Sequence, residues 1–225
     1  LPQTEEARTE ALQLMGVGNN IVTPKSGELV VHATQDFLTA SFLLTQRDVF
    51  LTRDKFCQLC ASFTASDTHI DLPPPAILKP RELWTGKQVF SVLLRPNKNE
   101  AHVLVNIEVE ERNYSKQGQS MCKNDGYVVF HNSELLAGNL GKKTLGGSKK
   151  GLFFRLLRDN SGYYAATAMG RVSRLAARYL GDKGFTMGID DVMPLKVVQG
   201  LKEEISERNY GKIDSYRRDL KRGKL

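Results

Sequence analysis

The sequence holds little that could cross-link it or anchor it in a bilayer. Its three cysteines, Cys57, Cys60 and Cys122, are an odd count and too few for a disulfide scaffold, so a reducing, intracellular setting is the simpler expectation. No apolar run comes near the roughly 18 residues that a membrane-spanning helix needs. The chain opens Leu1-Pro2-Gln3-Thr4 with no initiator methionine and no basic-then-apolar leader. It reads as starting inside a longer polypeptide. The remaining composition is ordinary, with 225 residues, 40% hydrophobic and 25% charged. That excludes disordered, collagen-like and low-complexity classes.

Acidic residues are missing where basic ones gather. Residues 138–158 hold Lys142, Lys143, Lys149, Lys150, Arg155 and Arg158 and no Asp or Glu. Those six charges account for most of the net +7. Residues 196–225 add a further basic excess, which leaves the rest slightly acidic. Local excess of this kind suits a polyanion such as RNA, DNA or a nucleoside triphosphate. A solubilising face, or contact with an acidic protein, would have the same composition.

Thr4 followed by Glu5 and Glu6 predicts a helix start that ends at Gly16 or Gly18. Residues 20–24 and 28–33 read as short strands around Lys25-Ser26-Gly27. Residues 37–44 read as a helix capped at Asp36, and residues 52–63 as a second helix carrying Cys57 and Cys60. Pro73-Pro74-Pro75 must be extended. Thr85 caps a helix over 86–93, and residues 103–109 and 127–131 have strand composition. Residues 138–151 read as a loop with five glycines, and 152–157 as a strand or helix start. Residues 163–180 carry the clearest three-and-four apolar spacing, with Arg171, Arg174 and Arg178 as a basic stripe opposite and Gly184 as the cap. Residues 195–209 and 212–221 read as two more helices. The expected class is α+β: small strands and helices up to about residue 160, then a helical part.

No complete catalytic constellation follows from these residues. Gly141-Lys142-Lys143-Thr144 and Trp84-Thr85-Gly86-Lys87-Gln88 both miss the phosphate-loop spacing. Cys57-x-x-Cys60 lacks a second pair at zinc spacing and reads as two core residues. The histidines at 32, 69, 102 and 131 are scattered. Asp190-Asp191 and Glu203-Glu204 do not form the spaced cluster of a two-metal site, and Asp190-Asp191 reads as a turn and cap.

Several strings nevertheless resemble one family, the largest subunit of multisubunit DNA-dependent RNA polymerases. They are Leu1-Pro2-Gln3-Thr4-Glu5-Glu6-Ala7, Asn20-Ile21-Val22-Thr23-Pro24, Gln35-Asp36-Phe37-Leu38-Thr39 and Ile77-Leu78-Lys79-Pro80. Leu83-Trp84-Thr85-Gly86-Lys87-Gln88, Lys142-Lys143-Thr144-Leu145-Gly146 and Gly184-Phe185-Thr186-Met187-Gly188-Ile189 continue in order. Leu72-Pro73-Pro74-Pro75, Gln35 to Thr39 and Asn132-Ser133-Glu134-Leu135 lean toward the RNA polymerase III form. The family commonly has Gly-Ile-Gly-Asp where this chain has Gly188-Ile189-Asp190-Asp191, which puts that turn in question.

The resemblance implies a nuclear, DNA-directed nucleotidyltransferase subunit. Residues 1–18 would be the tail of the active-site region, 19–160 the pore region and 161–225 the start of the funnel. Lys142, Lys143 and Thr144 would line the path of entering nucleoside triphosphates and of an extruded RNA 3′ end. Lys149, Lys150, Arg171, Arg174 and Arg178 would be further candidates for nucleic-acid or subunit contact. The catalytic Mg²⁺ would be held by aspartates outside this chain. The partners would be other polymerase subunits and, through the whole enzyme, template DNA, with no membrane. The competing expectation is a free-standing RNA-binding or subunit-interaction scaffold. It would need exposed aromatics for base stacking, for which Phe153 and Phe154 are candidates although they sit in an apolar run.

Overall fold

The computed structural model describes residues 1–100, 103–115 and 123–224. His102, Cys122 and residues 116–122 of the connector between strands lie outside the described residues. In chain order the elements are α1 (Glu5–Gln13), α2 (Gln35–Leu44), β1 (Phe50–Leu51), α3 (Arg53–Phe63), β2 (Trp84–Thr85), α4 (Gly86–Leu94) and β3 (Ile107–Glu110). There follow β4 (Tyr127–His131), β5 (Glu134–Ala137), α5 (Lys142–Leu145), α6 (Leu152–Asp159), α7 (Gly162–Lys183), α8 (Ile189–Val192) and α9 (Lys196–Lys221). The class is α+β, with β1 and β2 as one antiparallel pair and β3-β4-β5 as a small antiparallel sheet.

Local chemistry explains most of the starts. The Thr4 hydroxyl accepts from Ala7 N at 3.2 Å and opens α1. Thr85 and Gln88 close a reciprocal capping box on α4. Helix α2 differs from its expected cap. It starts at Gln35, with Thr34 at the capping position, and Asp36 lies inside the first turn, where a negative charge favours the N-terminal end. Residues 20–24 and 28–33 meet through one bridge, Val22 to Leu29, rather than as two strands. Pro24 has no N–H to donate, which stops a ladder there.

Strand β3 is shorter than expected, and β5 was not read from the sequence at all. Upstream of β3, Ser133 does the work of a ladder partner: its hydroxyl accepts from Val105 N at 3.0 Å and donates to Val103 O at 2.6 Å. Asn132 and Ser133, with φ of 49° and 68°, make the tight turn from β4 to β5. The glycine-rich stretch contains α5 rather than being loop throughout, and the segment from 152 is helix α6.

Helix α7 packs on α2, α3, α4 and α6 and buries Ala165, Ala168, Val172, Leu175, Ala176 and Tyr179. Gly184, at φ +74°, ends it as the sequence predicts. Phe56, Phe63, Phe90, Phe130 and Phe153 are fully buried in the same core. Each is worth about 1.5–3 kcal/mol relative to exposure. Compactness therefore divides the chain after Gly184 rather than near residue 160, because α7 owes its burial to the elements before it.

The second unit, Phe185–Leu225, consists of α8 and α9. None of its described residues is buried, and Val198, Leu201, Ile205, Ile213, Tyr216 and Leu220 form an exposed apolar stripe along α9. Helix α9 is continuous, whereas the sequence suggests two helices parted at Gly211. A mid-helix glycine costs about 1 kcal/mol but, unlike proline, removes no hydrogen bond.

Candidate functional site

The basic, glycine-rich segment leaves the sheet through a locked corner. Gly138 has φ +93°, and a side chain there would collide with Val128 Cα at 2.4 Å. Its N–H donates to Asp125 Oδ1 at 3.0 Å. Its carbonyl accepts from Lys87 Nζ at 3.1 Å. Lys87 and Asp125 form an ion pair in which the two side chains are only 13% and 14% exposed. The lysine of Trp84-Thr85-Gly86-Lys87-Gln88 is thus an internal clasp. Next along the chain, Leu140 N donates to the buried Thr45 hydroxyl at 3.0 Å.

Lys142 and Lys143 then fall on α5, a single helical turn with no acid in it. Both side chains are exposed, and no carboxylate among the described residues pairs with either. The turn itself is held from beneath by Glu111, a buried carboxylate just past the end of β3. Glu111 accepts from Lys143 N at 3.2 Å, from Thr144 N at 2.8 Å and from the Thr144 hydroxyl at 2.5 Å. At the other end Leu145 is fully buried, and its carbonyl accepts from Ala33 N at 3.2 Å. An open groove of about 890 Å³ runs past Lys142, Lys143, Arg112, His32 and Asn113.

The other candidate residues divide by burial. Thr144 is fully buried and spends its hydroxyl on Glu111, so it braces the turn and is not open to a passing ligand. Arg171 is 9% exposed and donates to Leu93 O at 2.9 Å, near the C-terminal end of α4, where a cation is favoured. It does not belong to an exposed stripe, because it faces the packed side of α7. Arg174 is exposed and donates to Gly170 O at 3.3 Å. Arg178 is exposed and pairs with Asp182 at 3.2 Å. Lys149 is exposed and reaches Ser26 O at 2.8 Å, while Lys150 is exposed.

Glu111 is the residue that sequence reasoning missed. Its signal was the alternation Ile107-Glu108-Val109-Glu110-Glu111, which puts 107, 109 and 111 on one face. A carboxylate on the apolar face of a strand calls for a dedicated set of donors.

The remaining motifs are quiet. Cys60 is buried and Cys57 half-buried, both as free thiols, and burial together with the neighbouring Cys57 pushes the Cys60 thiol up to about 12. No group of three or more metal-ligating side chains comes together among the described residues. Phe153 is fully buried and Phe154 half-buried against the core, so neither offers a stacking platform. Asp190 lies within the helical turn α8 with no positive φ, and Asp191 Oδ2 accepts from Gly188 N at 2.8 Å, a cap as expected. No helix among the described residues is long and apolar enough to cross a membrane.

Comparison with known proteins gives the same family from independent matches. The sequence profile of RNA polymerase Rpb1, domain 3, matches residues 20–192. DNA-directed RNA polymerase III subunit rpc1 of Dictyostelium discoideum is 53% identical over 226 residues, which is 100% of this chain and 15% of that protein. The human DNA-directed RNA polymerase III subunit RPC1 is 48% identical over 229 residues, 100% of this chain and 16% of that protein. The Plasmodium falciparum protein of the same name is 50% identical over 218 residues, 96% of this chain and 9% of that protein. The chain therefore spans less than a fifth of the length of these curated relatives.

Proposed function

Because the chain belongs to the family of RNA polymerase Rpb1, domain 3, we propose that it lines the passage by which nucleotides enter, and backtracked RNA leaves, the active centre of a DNA-directed RNA polymerase, with RNA polymerase III as the class. Its relatives at 48% and 53% identity are largest subunits of RNA polymerase III, which supports that class. The parent activity in this reading is nucleotidyl transfer in the nucleus, in an assembly with other polymerase subunits. Its Mg²⁺ would be held by residues other than these.

Residues 1–18 would follow the active-site region, and the pore region would begin near residue 19. The packing of α7 into the first unit supports carrying the pore region through Gly184 and starting the funnel at residue 185. The observation that carries the reading is the Lys142-Lys143 pair, exposed and without an acidic partner among the described residues, on a turn braced from below. A channel must attract a triphosphate or an RNA 3′ end and still let it go. Flexible ammonium groups act as point charges and hold loosely, whereas a guanidinium fork would clamp a phosphate in two places. Lys149, Lys150, Arg174 and Arg178 would add to the field around the path or meet neighbouring subunits. Thr144 and Arg171 serve the fold.

The test is the polymerase carrying Lys142→Ala with Lys143→Ala. Slower transcript cleavage or a raised KM for nucleotides, in an enzyme that assembles normally, supports the reading. Wild-type elongation and cleavage kinetics would remove the pair from the mechanism.

A further inference from the structure

We propose that Glu111 and Gly141 form a positioning device, in which the buried carboxylate seated against the bare Cα of Gly141 sets the direction in which Lys142 and Lys143 leave the backbone. The inference rests on the lysine pair as the polyanion contact, and it names the residues that aim that pair.

Three observations meet here. First, Glu111 is 6% exposed and makes three hydrogen bonds, all to α5. Its own backbone is fixed, because its N–H donates to Gly126 O at 2.8 Å and its carbonyl accepts from Tyr114 N at 3.2 Å. The carboxylate is therefore a rigid lever and not a mobile counter-ion. Second, Gly141 has φ −137° and ψ −164°, an extended conformation open to any residue. Its backbone does not ask for glycine. A Cβ at 141, however, would lie 2.7 Å from Glu111 Oε2 and 2.9 Å from its Cδ. Glycine is needed there so that the carboxylate can reach the N–H groups. Third, successive residues on a helical turn diverge by about 100°. Where the turn begins thus decides where both ammonium groups point, and Glu111 decides where it begins.

The alternative is that Glu111 merely satisfies a buried corner. A structural role would change stability but would not couple to the lysines. The experiment uses the assembled polymerase with Glu111→Ala, Glu111→Gln, Gly141→Ala, the Glu111→Ala/Gly141→Ala pair, and Glu111→Ala added to Lys142→Ala/Lys143→Ala. Nucleotide addition is resolved into KM and kcat, and amide exchange is followed across residues 141–146.

Glu111→Ala and Gly141→Ala should each raise KM roughly threefold or more with little change in kcat. Each should speed exchange at Thr144 N–H about tenfold, the worth of one charge-assisted hydrogen bond. The Glu111→Ala/Gly141→Ala pair should be no worse than either single change, since both remove the same contact. Glu111→Gln keeps an acceptor oxygen for Thr144 and should recover most of the KM. In the enzyme without the lysines, Glu111→Ala should add nothing to KM.

Additive effects of Glu111→Ala and Gly141→Ala would overturn the device. So would wild-type KM in both while the lysine variant raises it, and that result leaves the reading of the lysines standing. Wild-type kinetics in the lysine variant would sink the reading and the device together. Should Glu111→Ala fail to assemble, Gly141→Ala carries the test, because it keeps the carboxylate and adds one methyl group.

Discussion

Two glycine–lysine strings in this chain, Gly86-Lys87 and Gly141-Lys142-Lys143, look alike on paper and take opposite places in the fold. Lys87 is drawn inside, paired with Asp125 and bonded to Gly138 O. Lys142 and Lys143 stand outside on a turn whose Lys143 and Thr144 N–H groups are held by Glu111. The difference lies in the neighbours. Lys87 lies within the capping box of a helix with six buried residues, so its stem runs along packed surface toward the Asp125 carboxylate. The later pair has an acid beneath its backbone and none in ion-pair contact with its side chains among the described residues. One string spends its charge on the fold, and the other leaves its charge exposed.

The comparison can be broken most easily at Lys87. Lys87→Met should lower the stability of the chain by about 3–5 kcal/mol, since it strands the buried charge of Asp125. Thermal or urea unfolding measures it, and a loss below about 1 kcal/mol would mean that the pair is not an internal clasp. Glu111→Ala comes next, at about 1.5–3 kcal/mol, because it leaves the donors of α5 without their charged acceptor.

Cys60 gives an effect confined to alkaline pH. Its thiol is held protonated in the folded chain up to about 12, from an ordinary 9.0. The folded state therefore keeps a proton that the unfolded state loses. Stability is fully present below about pH 9 and falls as pH rises toward 12, by about 1.4 kcal/mol per pH unit. Cys60→Ala or Cys60→Val should flatten that alkaline slope, and an unchanged slope would contradict the burial argument. Smallest of all, Lys142→Ala with Lys143→Ala should shift stability by less than about 0.5 kcal/mol. A large loss there would show that the outer pair, too, belongs to the fold.

The locally encoded parts of the fold were legible. Thr4 and Thr85 cap as their hydroxyls suggest, and Gly184 ends α7 at the positive φ that glycine takes most readily. What depended on distant partners was not legible. Strand β5 turns on Asn132-Ser133, which lacks the Asn-Gly signal of a tight hairpin, and its register is set against β4. Arg171 sits one residue from an apolar position of α7, so the helical pattern alone placed it on the wrong side of the boundary, and its buried acceptor is 78 residues away in sequence.

The same holds for the site. Lys142 and Lys143 were visible as charge without acid, whereas Thr144 was grouped with them although its hydroxyl turns inward. Glu111 is 33 residues from Thr144 in sequence, and only the folded sheet brings them together. The contrast between the two units follows the same logic. From α2 to α7 each helix buries apolar residues, whereas α1 buries none and α9 shows an apolar stripe with no buried residue on it.

In the proposed function Lys142 and Lys143 face the polyanion path while Lys87 does not. The most direct test is a stalled, backtracked polymerase whose RNA carries a photoreactive base at its extruded 3′ end. After irradiation, mapping of the cross-linked peptide should find the segment from Gly141 to Lys150, with the yield lost in the Lys142→Ala/Lys143→Ala enzyme. Cross-links confined to other segments, unchanged by removal of the two lysines, would contradict the account.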